Sequence, residues 1–369
     1  MFVRYDKETF DCLRKQHNIM VLVGNGFDLA ILNRYKDGKM RGKTSSYEDF
    51  YEYIKYYNLS NQDNALFRKM SEDLKNKKEN WSDFEQAISE LIETGKIDIS
   101  DLERSVDEFQ GYFTRFLNEL VDADLLLKIN SDVQQKGLAM QSVSHFICDL
   151  KSSCGIEFPA KTTHYDLYNY CFFNFNYTSL LDNYLYLDKN QFEPHRWKVA
   201  DRNFEFNPEF EPNMNNPSRW SSYLLTTIIH PHGIQSVPRS ILFGVDIPEY
   251  NKGTSKEKRF IKSYWARYEV KYKTYFRDAE LFILFGMSLS KTDGWWMDQI
   301  FDAVLIRNAE VIIYKYGSEN EEEIKDTFIK ACIRHGNSSP EDIMNVKRRI
   351  FVVTFEENNT YFLGLEKRV

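Results

Sequence analysis

Six short apolar runs punctuate the chain: Ile19–Val23, Cys171–Phe175, Thr227–His230, Leu281–Phe285, Val311–Tyr316 and Ile350–Phe355. Each has the length of a strand, and most close on Gly, Asn or another polar residue. Continuous apolar runs of that length suit strands buried on both faces of a parallel sheet. Long stretches with helical patterning separate most of them. Strands alternating with helices predict an α/β fold: a doubly wound, mostly parallel sheet flanked by helices. A further short run, Ile241–Phe243, reads as an edge strand or a loop.

Between residues 44 and 160 the polar and apolar positions follow a helical period. Ser82-Asp83-Phe84-Glu85 fits a capping box, and Phe84, Ala87, Ile88, Leu91 and Ile92 then share one face. Leu125, Leu126 and Ile129 mark another helix. Val143, Phe146, Ile147 and Leu150 mark one more, with His145 on its wetter side. A helical insertion, placed at 61–160, therefore follows the first βα unit of a single domain spanning 1–369. Residues 188–222, rich in Asn, Pro and charge, are too long for a simple connection and read as a loop or flap.

Composition changes this picture little. Hydrophobic residues make up 42% of 369 and charged residues 28%, enough for an ordinary core, and with 28 Phe and 23 Tyr that core should be rich in rings. A formal net charge of −7 disfavours broad nucleic-acid binding, which draws on cationic surface. Lysines and arginines do gather from Lys252 to Lys273, but Glu257 and Glu269 interrupt them, so the stretch reads as a solvated helix face. The five cysteines form no C-x-x-C pair, so no metal is expected. Their odd number and the charged start of the chain suggest reduced thiols and a cytoplasmic protein. No run nears the ~18 apolar residues of a membrane span.

The chemistry concentrates where the apolar runs end. Gly24-Asn25-Gly26-Phe27-Asp28 follows the first run. Its glycine pair would let the backbone turn tightly against a phosphate or ribose, although a plain turn with Asp28 capping a helix would look the same. A standard dinucleotide fingerprint would want Gly or Ala at Leu29. Asn174 and Asn176 share a face if extended, and an amide suits a ribose hydroxyl or a reacting water. Either could equally satisfy its own turn. His230 and His232 also share a face if extended, with Gly233 permitting a sharp exit. A histidine there is either a general base or a satisfied core residue. After the fourth run, Gly286 and Ser288 sit where a nucleotide would need room and a hydroxyl, and Asp293 fits an N-cap ahead of Trp296, Met297, Ile300 and Phe301. In an open α/β sheet, ligands bind beyond the carboxyl ends of the strands, so these strings point to one crevice. No G-x-S-x-G elbow, P-loop, H-E-x-x-H or EF-hand pattern is present.

In this order, the strings resemble the bacteriophage abortive-infection protein H (AbiH) family. The landmarks are Gly24-Asn25-Gly26-Phe27-Asp28-Leu29, Thr44-Ser45-Ser46-Tyr47-Glu48-Asp49-Phe50, Trp81-Ser82-Asp83-Phe84-Glu85, Phe175-Asn176-Tyr177-Thr178, His230-Pro231-His232-Gly233 and Phe285-Gly286-Met287-Ser288-Leu289 with Thr292-Asp293. Residues Asn33 to Lys43 look like an insertion relative to that family. The same landmarks look like a remote sirtuin-like, Rossmann-type fold that holds NAD. That likeness implies that Asn176 positions ribose and water and that His232 is the catalytic histidine. Asp28 would be a third catalytic group, its charge near a developing cation. It also implies that Gly24, Asn25, Gly26, Phe27, Thr178, Gly286, Ser288 and Asp293 line the nucleotide site. Sirtuin deacylases carry a four-cysteine zinc module, and none can be built here. The implied activity is therefore hydrolysis of the nicotinamide–ribose bond of NAD by an antiphage effector. The alternative is a module that senses NAD or ADP-ribose without turnover. A nucleotide ligand, a phage-derived trigger and a homo-oligomer are the partners implied, with no membrane.

Overall fold

The computed structural model describes residues 1–60, 63–95, 97–186, 204–210, 219–244, 257–336, 338–356 and 359–367. Its centre is a seven-stranded sheet in the order β3-β4-β2-β1-β5-β6-β7. The strands are β1 (Gln16–Val23), β2 (Leu167–Asn174), β3 (Phe204–Phe206), β4 (Trp220–Ile229), β5 (Leu281–Phe285), β6 (Glu310–Tyr316) and β7 (Ile350–Phe355). All pairings are parallel except that of β3 with β4. From β1 the chain builds outward through β2 to β4, then returns to place β5 on the other side of β1. The winding thus reverses between β1 and β5, where Val23 stands opposite Phe285. That junction is the topological switch point at which open α/β sheets form their crevice.

Alternation along each strand divides the interior in two. Ile19, Val21 and Val23 of β1 and Tyr168, Tyr170 and Phe172 of β2 face one core. Met20 and Leu22, with Cys171 and Phe173, face the other. Helices α1 (Asn25–Tyr35), α2 (Tyr47–Tyr56), α3 (Ala65–Lys75), α4 (Phe84–Thr94), α5 (Ile99–Leu120), α6 (Ala123–Lys136), α7 (Leu138–His145) and α8 (Leu180–Leu185) contribute to the first. There Phe50, Phe84, Phe109 and Phe113 meet edge to face, with Phe50–Phe113 at 4.9 Å and Phe84–Phe109 at 5.7 Å. Helices α9 (Gly294–Arg307), α10 (Glu321–Ala331) and α11 (Pro340–Lys347) cover the second.

Several elements differ from the sequence reading, each for a tertiary reason. β1 starts at Gln16 because its polar residues find buried partners. His17 lies 3.1 Å from Asp166 and 2.9 Å from Glu280, and Asn18 donates to the Asp278 carbonyl at 2.9 Å. β3 and the start of β4 fall inside the stretch read as a flap; residues 187–203 and 211–218 of it lie outside the described residues. β4 ends at Ile229, so His230 is off the strand. Ile241–Phe243 forms no strand, yet Ile241 and Phe243 are buried. The capping box is displaced by one residue. Asp83, not Ser82, is the N-cap of α4 and accepts from the Gln86 amide at 3.0 Å. Nor is the stretch around Lys252 to Lys273 a solvated face throughout: Lys262 and Tyr268 are buried, and 252–256 lie outside the described residues. Among the described residues, no helix is long and apolar enough to cross a membrane.

Candidate functional site

A cavity of about 670 Å³ opens at the carboxyl ends of β1, β2, β5 and β6, a size usual for a small-molecule site. The turn after β4 and the first turns of α2 and α4 complete its wall. Gly24, Asn25, Gly26, Asp28, Asn176, Thr178, His232, Gly286, Ser288 and Asp293 all line it. Phe27 does not, and its reading as a cofactor contact is corrected. On α1 it turns into the first core, edge-on to Tyr184 at 5.4 Å and to Phe285 at 6.3 Å.

The glycines are needed first of all by one another. The Gly24 amide donates to the Phe285 carbonyl at 2.9 Å, and the Gly26 amide to Gly286 O at 2.9 Å. A Cβ on Gly24 would stand 2.7 Å from Gly286 O, and one on Gly26 2.7 Å from Gly286 Cα. Gly286 itself sits at φ +64°, in the left-handed region. The room at Gly286, read as space for a nucleotide, is therefore filled in part by the backbone of Gly26. What the contact achieves is to bring the start of α1 against β5 at the switch point.

Two buried polar atoms in this wall have no protein partner. Asp28 is fully buried; its Oδ2 accepts from the Thr178 hydroxyl at 2.6 Å, while Oδ1 has no hydrogen bond. Burial pushes the Asp28 carboxyl up to about 7, against the Thr178 hydrogen bond and the nearby His230. His232 Nε2 is likewise buried without a partner. Burial, assisted by the charge of Lys262, holds the His232 imidazole well below its ordinary value, so it is neutral. Phe175 meets the His232 ring edge-on at 5.0 Å, and the backbone is fixed by Leu242 N donating to His232 O at 2.8 Å. Gly233 follows at φ +93°, where a Cβ would lie 2.1 Å from Ser240 O. That glycine is required by the turn.

The paired residues separate. Asn174 Oδ1 accepts from the Asn176 amide at 3.1 Å, an Asx turn, and does not line the cavity. Asn176 does, with its own Nδ2 donating to Gly24 O at 3.1 Å. His230 and His232 do not share a face, because a turn begins at Pro231. His230 is held by Asp182 of α8, with Nε2 3.1 Å from both carboxylate oxygens. Asp293 occupies the N-cap position of α9 but makes no capping bond; its carboxyl is raised by burial in the cavity wall.

The sequence reading passed over one wall of the site. Glu85 turns inward from α4 and forms an ion pair with Lys262 at 2.8 Å, with Tyr177 donating to it at 3.3 Å. Its partner had been taken for surface charge. The available signal was position: Glu85 stands three residues before Ile88 on the buried stripe of α4, and Lys262 follows buried Phe260 and Ile261. Asp83 and Asp293 complete this wall. Asn25 accepts from the Ser45 hydroxyl at 2.6 Å, which ties the loop before α2 to the first strand end. Among the described residues, no group of three or more His, Cys, Asp or Glu is arranged to hold a metal ion.

No curated protein matches the chain. The family model described as bacteriophage abortive infection AbiH matches residues 20–316, from the first strand to the end of the sixth. The matched span contains every strand end that lines the cavity, and on that match the chain belongs to the AbiH family.

Proposed function

We propose that this chain is an effector of phage abortive infection that hydrolyses the nicotinamide–ribose bond of NAD in the cavity at the β1–β5 junction, within a sirtuin-like fold. Water would add at the anomeric carbon, neutral nicotinamide would leave with the bonding pair, and one proton would be released. The family supports the defence role. The observation that carries the chemistry is the pair of buried, unpartnered atoms Asp28 Oδ1 and His232 Nε2 in one cavity. A buried polar group without a partner is costly, so such atoms are expected where a ligand supplies the partner. An oxocarbenium-like transition state needs nearby negative charge and a placed water. In this reading Asp28 supplies the charge, His232 accepts a proton or anchors ribose, and Asn176 orients the ribose. Gly24, Asn25, Gly26, Thr178, Gly286, Ser288 and Asp293 line the nucleotide.

One observation favours a second reading, a sensor that binds NAD or ADP-ribose without turnover: one Nδ2 hydrogen of Asn176 is already engaged by Gly24 O, which ties that side chain to the backbone. Incubation of the purified protein with NAD, followed by separation of nicotinamide and ADP-ribose, tests the first reading. His232→Ala and Asn176→Ala should each slow product formation by at least roughly a hundredfold with the fold retained. Full activity in either folded variant rejects its catalytic role. Thermal stabilisation by NAD without product would leave the sensor.

A further inference from the structure

The cavity is acidic on the side that the helical layer closes. Asp83, Glu85 and Asp293 lie close enough to act on one another's ionisation, and the single cation among them is Lys262. Lys262 is committed to Glu85, with its Nζ at 2.8 and 2.9 Å from the two carboxylate oxygens. Asp83 and Asp293 line the same wall and form no ion pair among the described residues. Across the cavity Asp28 adds a fourth carboxyl, and Lys315, the other lysine in the lining, is engaged by Glu319 at 3.5 Å. His232, buried and with Nε2 unpartnered, faces this group and lies within the field of Lys262. Carboxyls outnumber cations in the lining, Asp83 and Asp293 without an ion-pair partner among the described residues, and the neutral histidine adds no positive charge.

That excess decides between ligands that share a nucleotide half. NAD carries a pyridinium ring, whereas NADH and ADP-ribose present only neutral groups and a pyrophosphate there. Unpaired carboxylates in a part-buried wall attract a cation and repel added anion. Resting on the nucleotide reading above, we infer that Asp83, Glu85 and Asp293 beside His232 form a subsite for a cationic aromatic ring, so that the cavity selects the oxidised, pyridinium-bearing dinucleotide over NADH and ADP-ribose. The carboxylates would then also favour the ground state of the pyridinium. The cleavage step must draw its advantage from Asp28 and His232.

Binding, not turnover, tests this. The purified full chain would be titrated by calorimetry at fixed ionic strength with carba-NAD, which keeps the pyridinium and resists glycosidic cleavage. NADH, ADP-ribose and N-methylnicotinamide would be titrated alongside. Carba-NAD should bind at least roughly tenfold tighter than NADH or ADP-ribose, a modest yield for a charge contact at a part-buried site. Asp83→Asn should reduce that ratio towards one while leaving NADH affinity in place, and Asp293→Asn should also reduce the ratio. Equal affinity for carba-NAD, NADH and ADP-ribose overturns the subsite but leaves the nucleotide reading standing. Binding of N-methylnicotinamide alone, lost in Asp83→Asn, keeps the subsite and overturns the nucleotide reading. No binding of any of the four overturns both. If a variant fails to fold, the comparison of carba-NAD with NADH on the unaltered protein still decides.

Discussion

At the scale of single residues, the chain accepts unfavourable placements in one wall. Glu85 and Lys262 are both buried, and a buried ion pair holds its value only while both partners remain. Read as a capping residue, Glu85 would be replaceable at little cost; as the counter-charge of Lys262 it is not. Glu85→Gln should lower stability by about 3–5 kcal/mol, since it removes the ion-pair partner of a buried ammonium. The double change Glu85→Gln with Lys262→Met should recover most of the loss. Urea denaturation of the parent and the two variants measures this, and a loss under ~1 kcal/mol in the single variant would return Glu85 to a capping role. Asp28 makes a different demand. With its carboxyl raised to about 7, it is only part-ionised at neutral pH. If its charge assists NAD cleavage, kcat/KM should rise with pH through about 7 and the variant Asp28→Asn should lose both the rise and the activity.

At the scale of elements, legibility followed the apolar content of each segment. β5 carries an uninterrupted apolar run and β7 one broken only by Thr354, and both are legible to the residue. β4 is legible only from Thr227 because Ser221, Ser222 and Thr226 break its apolar pattern, although Ser222, Tyr223 and Leu224 in its first half are buried. The start of β1 was missed because the partners of His17 and Asn18 lie some 150 to 260 residues away, at Asp166, Asp278 and Glu280. The strand ends of the site could be read because turn-forming and reactive residues are local signals. The acidic wall could not, since an inward Glu on a helix differs from a solvated one only by its tertiary partner. Glycines illustrate the same limit. Gly24, Gly26 and Gly286 are constrained by mutual backbone contact, whereas Gly111 in the middle of α5 is exposed and a Cβ there would meet nothing within 4 Å. Gly111→Ala should therefore stabilise the protein by about 0.5–1 kcal/mol through helix propensity alone, and Gly286→Ala should destabilise it by more than that. Thermal melts of the two variants decide; stabilisation by Gly286→Ala would contradict the close packing of β5 on α1.

Across the fold, His17 and Asp28, buried at opposite ends of the sheet, respond to pH in the same direction. At the amino end of β1, His17 is buried between Asp166 and Glu280, whose hydrogen bonds raise its value against the cost of burial. At the carboxyl end, burial raises Asp28 from 3.8 to about 7. In both cases the folded value lies above the unfolded one. The folded state therefore holds its proton more tightly, and the stability gained is complete below the unfolded value and lost as pH rises through the folded value. For Asp28 that loss falls between about pH 4 and 7, and for His17 it falls above 6.5. Glu280, lowered by His17, works the other way, but its contribution is complete once pH exceeds its unfolded value of 4.5. His232, held well below its ordinary value by burial, adds stability as pH rises towards 6.5 and so opposes the Asp28 loss there; above about pH 6.5 that opposition ends, and the ligand-free protein should become less stable, by up to roughly 1.4 kcal/mol per pH unit for each group titrating. Asp28→Asn keeps an acceptor for Thr178 and removes the charge. It should remove the Asp28 loss between pH 5 and 7 and make the variant more stable than the parent at pH 8. His17→Gln should flatten the fall above 6.5 while lowering stability at pH 6, where the charged imidazole is lost from between its two carboxylates. Urea midpoints measured from pH 5 to 8 on the parent and both variants separate these contributions. A parent whose stability rises between pH 6.5 and 8 would show that neither buried group carries the raised value assigned to it.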